Sequence, residues 1–217
     1  MRLNVLVRSN IVVLGFDVFG EEISNPASRI AELFNGLVIG DYLIHGLTIP
    51  VSYSSVKRSI KLVFELYSPI TIIALGLSAS KPLPALERIA LNYVDSNLPD
   101  IDGVVFSGEH IIPNGPLALE TDVNIYSLRN YLLDKGIPIT ISYHAGTYLC
   151  NYMYYLLLYE SKIKNIKSLF IHIPRGRNDV LQLIRSRKRF SWFIDEELMI
   201  RLVELTIKYL IEKEINR

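Results

Sequence analysis

Residues 54–76, SSVKRSIKLVFELYSPITIIALG, carry the pattern that decides the fold. Ser54 and Ser55 can cap a helix running to about Tyr67, with Val56, Ile60, Val63 and Phe64 on its inward face. Ile70–Leu75 follows as a short, continuous, β-branched run that ends at Gly76, the signature of a strand buried on both faces. The same alternation extends outward. Upstream, Ile11–Gly15 reads as a strand, with Asn4–Val7 as a candidate partner. Asn25-Pro26 opens a helix, with Asn as cap and Pro at the first helical position, and Ile30, Leu33 and Phe34 share its apolar face. Asn35-Gly36 stops it, and Leu37–Ile39 and Tyr42–Ile49 read as strands around Gly40-Asp41.

Downstream, Leu86–Val94 reads as extended, before an irregular region punctuated by Pro99, Gly103, Pro113 and Gly115. Thr121 caps a predicted helix to about Lys135, and Ile137–Tyr143 is a strand. The turn Ala145-Gly146-Thr147 leads into an apolar helix from Tyr148 to Ser161. Leu169–Ile173 is the next strand, and a last helix runs from Asp195 to about Lys213. Strands separated by helices of this length imply right-handed crossovers. The expectation is one α/β domain over residues 1–217, a mostly parallel twisted sheet with helices on both faces. In such sheets the site lies at the carboxyl ends of the strands.

Composition narrows the function. Half of the 217 residues are hydrophobic, enough for a closed core. The net charge of +1 provides no global field for nucleic acid or an anionic membrane. One cysteine cannot form a disulfide framework or a thiolate zinc site, and no metal or organic cofactor is implied. No uncharged apolar run approaches the ~18 residues that span a bilayer. Arg8, Asn10 and Asp17 interrupt the apolar N-terminus, so a signal peptide is not expected. A cytoplasmic protein is expected.

Cys150 stands in the first turn of the helix that follows His144-Ala145-Gly146-Thr147. The partial positive charge of a helix N-terminus favours an anionic sulfur, and its unpaired N–H groups can hold an oxyanion. A sulfur nucleophile wants an imidazole. His45 and His110 lack obvious partners, His144 precedes the cysteine by six residues, and His172 ends a strand just before Pro174. Glu87 sits among Leu86, Ile89 and Ala90, an unusual setting for a carboxylate, and could orient the imidazole. Each signal also has a plain structural reading: a buried cysteine, a strand-end histidine, and an ion pair with Arg88.

In motif order from about Val12 to Pro174, the chain resembles the pyrrolidone carboxyl peptidases, the pyroglutamyl peptidase I family of cysteine peptidases. Gly15-Phe16-Asp17-Val18-Phe19-Gly20 with Asn25-Pro26 resembles the family's Gly-Phe-x-Pro-Phe-Gly … Asn-Pro. Glu87-Arg88-Ile89-Ala90-Leu91-Asn92 is similar to its Glu-Arg-Val-Ala-Ile-Asn. Ala145-Gly146-Thr147-Tyr148-Leu149-Cys150-Asn151 is similar to Ala-Gly-Thr-Phe-Val-Cys-Asn, and Phe170-Ile171-His172-Ile173-Pro174 to Phe-Ile-His-Val/Ile-Pro. The resemblance implies Cys150 as nucleophile, His172 as base and Glu87 as orienting acid, and it sets His144 aside. It implies Phe16 and Phe19 as pocket aromatics, with Asn25 and residue 77 in the same recognition shell. It further implies peptides with an N-terminal pyroglutamate as substrates and self-association into dimers or tetramers.

The departures fall in that shell. The family's Gly-Gln-Ala-Gly-Gly-Arg is here Gly76-Leu77-Ser78-Ala79-Ser80-Lys81, so Leu77 replaces a pocket glutamine. Asn97 replaces an arginine that the resemblance would assign to the oxyanion, exchanging a charged donor for a neutral one. Two other functions compete with the peptidase. One keeps the same triad with a changed acyl specificity. The other is a binding protein using the basic residues Arg175, Arg177, Arg185, Arg187, Lys188 and Arg189, whose acidic neighbours Asp179 and Asp195–Glu197 favour a solvated, ion-paired face instead.

Overall fold

Three fully buried apolar runs, Ile11–Leu14, Ile72–Leu75 and Leu169–Ile171, form the centre of the sheet. They are seen in a computed structural model that describes residues 9–20, 22, 24–189 and 192–215. In chain order the first half comprises β1 (Ser9–Phe16), α1 (Pro26–Phe34), β2 (Val38–Ile39), β3 (Tyr42–Ile49), α2 (Tyr53–Tyr67) and β4 (Thr71–Leu77). Short strands follow: β5 (Ala85–Glu87), β6 (Ile89–Leu91), β7 (Val94–Ser96), β8 (Phe106–Glu109) and β9 (Ala118–Glu120). The chain closes with α3 (Ile125–Asp134), β10 (Thr140–Ser142), α4 (Leu149–Lys164), β11 (Lys167–Ile173), α5 (Arg177–Arg185) and α6 (Glu196–Tyr209), then a π-helical turn, Leu210–Ile215.

The main sheet has the order β10-β5-β11-β4-β1-β3-β2. The pairs β10–β5, β11–β4, β4–β1 and β1–β3 are parallel, whereas β5–β11 and β2–β3 are antiparallel. Alternate side chains of the central strands feed two separate cores. Ile11, Val13, Ile73, Leu75, Leu169 and Ile171 pack beneath α1, α3 and α6. Val12, Leu14, Ile72, Ala74 and Phe170 pack beneath α2 and α4. This is the α/β domain with helices on both faces that the sequence predicts. Among the described residues, no helix is long and apolar enough to cross a membrane.

Several local expectations shift. Asn4–Val7 lies outside the described residues. The cap of α2 is Ser52, whose side chain accepts from the N–H of Ser55, and that of α3 is Asn124, which accepts from Ser127. Runs of adjacent hydroxyl and amide side chains offer several caps, and the one whose side chain reaches the N–H three residues on wins. Thr121 instead donates to the Ser168 carbonyl. Leu33 is 54% exposed, because only Ile30 and Phe34 of that face meet the sheet. Leu86–Val94 is three strands with three partners: β5 joins the main sheet, β6 pairs with β9, and β7 pairs with β8. The segment Ile137–Tyr143 keeps ladder bonds only over β10.

The start of the basic segment is tied down. Arg175 pairs with Glu22, and Arg177 lies 3.0 Å from Asp195. Buried Asp179 of α5 accepts from Arg29 of α1, which also reaches Glu196 of α6 at 3.0 Å. These pairs stitch α1, α5 and α6 together and withdraw Arg175 and Arg177 from a free cationic surface.

Helix α1 lies unusually close to the sheet because β1 and β3 carry glycines beneath it. A Cβ on Gly46 would stand 1.8 Å from the Ala31 carbonyl oxygen, and one on Gly15 would stand 2.1 Å from that of Ala27. Gly46→Ala must therefore push α1 off the sheet. We expect a loss of about 1–3 kcal/mol, the usual scale of overpacking, read as a lower urea midpoint at unchanged slope. Leu33→Ala on the exposed flank of the same helix should stay within about 0.5 kcal/mol. Equal midpoints for Gly46→Ala and the parent would contradict this packing.

Candidate active site

The two-residue period of the strands brings the chemistry to one face. Phe170 of β11 faces α4, so His172 faces it too. In the antiparallel neighbour, Leu86 joins the opposite core, which turns Glu87 toward His172. Helix α4 is buried nearly all round, with Leu149, Asn151, Tyr152, Met153, Tyr154, Tyr155, Leu157, Leu158 and Ser161 inside. Its first turn is thus held firmly over the carboxyl ends of β4 and β11, and that turn carries Cys150.

Two asparagine and tyrosine anchors fix that helix. Asn151 accepts from the Leu91 N–H at 2.8 Å and donates to the carbonyls of Leu91 and Tyr93, both at 2.9 Å. The Tyr154 hydroxyl donates to the Glu87 carbonyl at 2.7 Å. Space for the sulfur comes from Gly76, which pairs with His172 across the β4–β11 ladder. A Cβ there would lie 3.0 Å from Cys150 Sγ and 2.7 Å from Phe170 Cζ.

Glu87 is completely buried and its Oε1 lies 2.7 Å from His172 Nδ1. Lys81 Nζ lies 3.0 Å from the same oxygen and 3.0 Å from Ser142 Oγ. Burial disfavours the Glu87 carboxylate, but His172, Ser142 and Lys81 outweigh it and hold the carboxyl below its ordinary value. Burial likewise disfavours the His172 cation. Cys150, which hydrogen-bonds the ring, and then Glu87 overcome that and push His172 up to about 9. With Nδ1 engaged by Glu87, Nε2 is the nitrogen left for the sulfur. The arrangement holds a proton on His172, with the Glu87 carboxylate on one side of the ring and the Cys150 sulfur on the other.

Beside Cys150 opens a cavity of about 250 Å³. Phe16, Phe19, Val51, Leu77, Leu98 and Tyr148 give it mostly apolar walls, with Asp17, Glu22 and Asn25 on the polar side. The Phe19 ring stands 5.9 Å from that of Tyr148. Asn25 uses both ends of its amide on the chain itself: Oδ1 accepts from Ala27 N–H and Nδ2 donates to the Asp17 carbonyl, each at 2.9 Å. Its contribution to the wall is therefore to hold the β1–α1 loop.

The structure thus brings Glu87, Cys150 and His172 together, with Phe16, Phe19, Asn25 and Leu77 around one cavity. Asn97 is not brought in. It is exposed, and its neighbour Leu98 lines the wall instead. His144 is also exposed, and its Nδ1 accepts from Gly146 N–H at 3.2 Å. Lys81 and Tyr148 are the additions. In the sequence Lys81 showed only as a cation standing where the family motif has an arginine, and Tyr148 only as the start of a helix standing where the motif has a phenylalanine.

A sulfur, an imidazole and a carboxylate at the carboxyl edge of an α/β sheet belong to the class of cysteine peptidases. The pyroglutamyl peptidase family, Peptidase_C15, matches residues 9–192. The chain is 35% identical to the pyrrolidone-carboxylate peptidase of Thermococcus litoralis, with 91% of each chain covered. It is 31% identical to that of Bacillus subtilis over 77% of this chain and 79% of the relative. The crystal structure of pyrrolidone carboxyl peptidase from Pyrococcus furiosus superposes with a TM-score of 0.89 at 32% identity, covering 94% of this chain and 99% of that one. The chain is a cysteine peptidase and belongs to the pyroglutamyl peptidase family.

Since Cys150 leads the influences that raise His172, Cys150→Ala should bring its titration down substantially, and Glu87→Gln should bring it down as well. Chemical-shift titration of the imidazole measures this directly. The parent should keep its proton to about pH 9. A parent ring that deprotonates near the ordinary histidine value would show that sulfur and imidazole are not a charged pair.

Proposed function

We propose that the chain hydrolyses the amide bond after an N-terminal pyroglutamyl residue, by a Cys150–His172–Glu87 triad and a thioester intermediate. One observation carries the reading: Cys150 stands at the junction of the charged His172–Glu87 pair and a small, mainly apolar cavity. The lactam ring of pyroglutamate is flat, compact and uncharged, so it suits walls such as Phe16, Phe19 and Leu77. A free glutamyl or prolyl end would bring an ammonium into those walls at a large desolvation cost.

In this mechanism the Cys150 sulfur attacks the lactam-bearing carbonyl carbon, and the electron pair moves to the carbonyl oxygen. Tyr148 contributes no side-chain cap to α4, so the first N–H groups of that helix remain for the oxyanion. As the tetrahedral centre collapses, the C–N bond breaks and His172 Nε2 hands its proton to the departing amine. His172 then takes a proton from water, the hydroxide oxygen attacks the thioester, and the C–S bond breaks to release pyroglutamate. Glu87 keeps Nδ1 protonated and the ring in place throughout.

Turnover of pyroglutamyl, prolyl and glutamyl reporter amides tests the proposal. Only the pyroglutamyl compound should be cleaved at an appreciable rate. Cys150→Ala should abolish cleavage, and His172→Ala should cost about 10²–10⁴-fold, the scale of a removed general acid–base. Faster cleavage of another acyl group would transfer the assignment to an amidase of altered specificity.

Leu77→Gln should act on binding. A side-chain amide in the cavity wall can meet the polar edge of the lactam, so KM should fall while kcat changes little. A large change in kcat with constant KM would place residue 77 in the chemical step instead.

A further inference from the structure

A second cavity of about 310 Å³ lies beyond the triad, bounded by Ser78, Lys81, Ser142, His144, Gly146 and His172. The two cavities divide the reacting pair. Cys150 lines the first and not the second, whereas His172 lines the second and not the first. A scissile amide must lie between them, with its carbonyl carbon at the sulfur and its nitrogen at the imidazole. Chain beyond that nitrogen then continues past His172. We propose that this second cavity is the leaving-group subsite, and that it prefers a carboxylate near the first residue after the cleaved bond; the inference rests on the acyl assignment made above.

The charge preference follows from what faces the cavity. Among the described residues no acidic side chain lines it, and Glu87 is completely buried behind the ring. Lys81 is 35% exposed and spends one N–H on Glu87 and one on Ser142. An ammonium has three donors, so one remains for a ligand. With a protonated His172 beside it, the subsite presents positive charge to the departing chain. An anionic group here gains attraction without entering the acyl cavity. That group can be an acidic side chain or the terminal carboxylate of a pyroglutamyl dipeptide.

The test is kcat/KM on four substrates with one acyl group: pyroglutamyl-alanine amide, pyroglutamyl-glutamate amide, pyroglutamyl-lysine amide and the free acid pyroglutamyl-alanine. The glutamate amide should exceed the lysine amide by about tenfold, the scale reached when a solvent-exposed charge attracts one side chain and repels the other, and added salt should shrink the ratio. Comparing the alanine amide with its free acid reports the terminal carboxylate separately from the side chain. Lys81→Met should bring the glutamate-to-lysine ratio close to one, and the ratio remains readable even if turnover falls. His144→Glu, which places a carboxylate on the rim, should reverse the preference. A parent ratio near one, or a ratio that neither variant moves, overturns the subsite while leaving the acyl assignment standing. Failure to cleave any pyroglutamyl amide, including a reporter with no following residue, overturns the acyl assignment and the subsite with it.

Discussion

A carboxylate with no access to water has to be satisfied by the protein, and Glu87 imposes that requirement on everything around it. Its Oε1 takes the His172 ring and the Lys81 ammonium, while Ser142 adds a further favourable interaction. These partners come from three places in the chain: the end of β11, the β4–β5 loop and the last residue of β10. Anchoring Oε1 of one buried carboxylate, while Oε2 finds no hydrogen-bond partner among the described residues, therefore fixes the relative positions of the elements that form the site. It also explains why β5 is so short. The strand supplies the ladder bonds that set Glu87 beside β11, and beyond it the backbone leaves for other partners, with Arg88 N–H donating to Ser142 and Thr121 N–H to Arg88.

The position of Cys150 depends on a different kind of constraint, packing. Helix α4 has no solvent face of ordinary width, so its first turn cannot adjust without disturbing the core beneath α2 and α4. Gly76 gives the sulfur its space, and no side chain could replace hydrogen there without meeting Phe170. Electrostatics positions the imidazole and sterics position the sulfur. The pair meets because β4 and β11 are in register, His172 opposite Gly76.

Much of this was legible in the sequence because it was carried by strong patterns. Continuous β-branched runs identified β1 and β4, a short apolar run identified β11, and the alternation with helices gave the layered sheet. Cys150, His172 and Glu87 each broke a local pattern: a thiol at a helix start, an imidazole ending a strand, a carboxylate among apolar residues. Lys81 broke none, since a lysine in a polar loop is what solvent alone would select, and only the folding back of that loop brings it to Glu87. Asn97 shows the opposite failure. Its assignment rested on alignment across an irregular loop, where the β7–β8 pairing is itself shifted at Val94 and Ser96. There Leu98 lines the cavity wall and Asn97 is exposed. Helix caps moved by two or three residues for a related reason, since neighbouring Ser, Thr and Asn residues compete for the same N–H groups.

The distribution of charge also separates binding from chemistry. Lys81, Glu87 and the far side of His172 lie behind the Cys150 sulfur, while the cavity in front is walled mainly by aromatic and aliphatic groups. On the proposed function, changes in that wall alter how well an uncharged ring is held, and they do so without entering the hydrogen-bonded chain from Lys81 to the imidazole. A leucine at position 77 is tolerable on this view, since the residue it replaces would have touched the acyl group and not the triad. Position 81 has less freedom. Whatever stands there must deliver a positive donor to a buried carboxylate, and lysine, with a compact head on a flexible stem, can do so while keeping a further N–H for what lies outside.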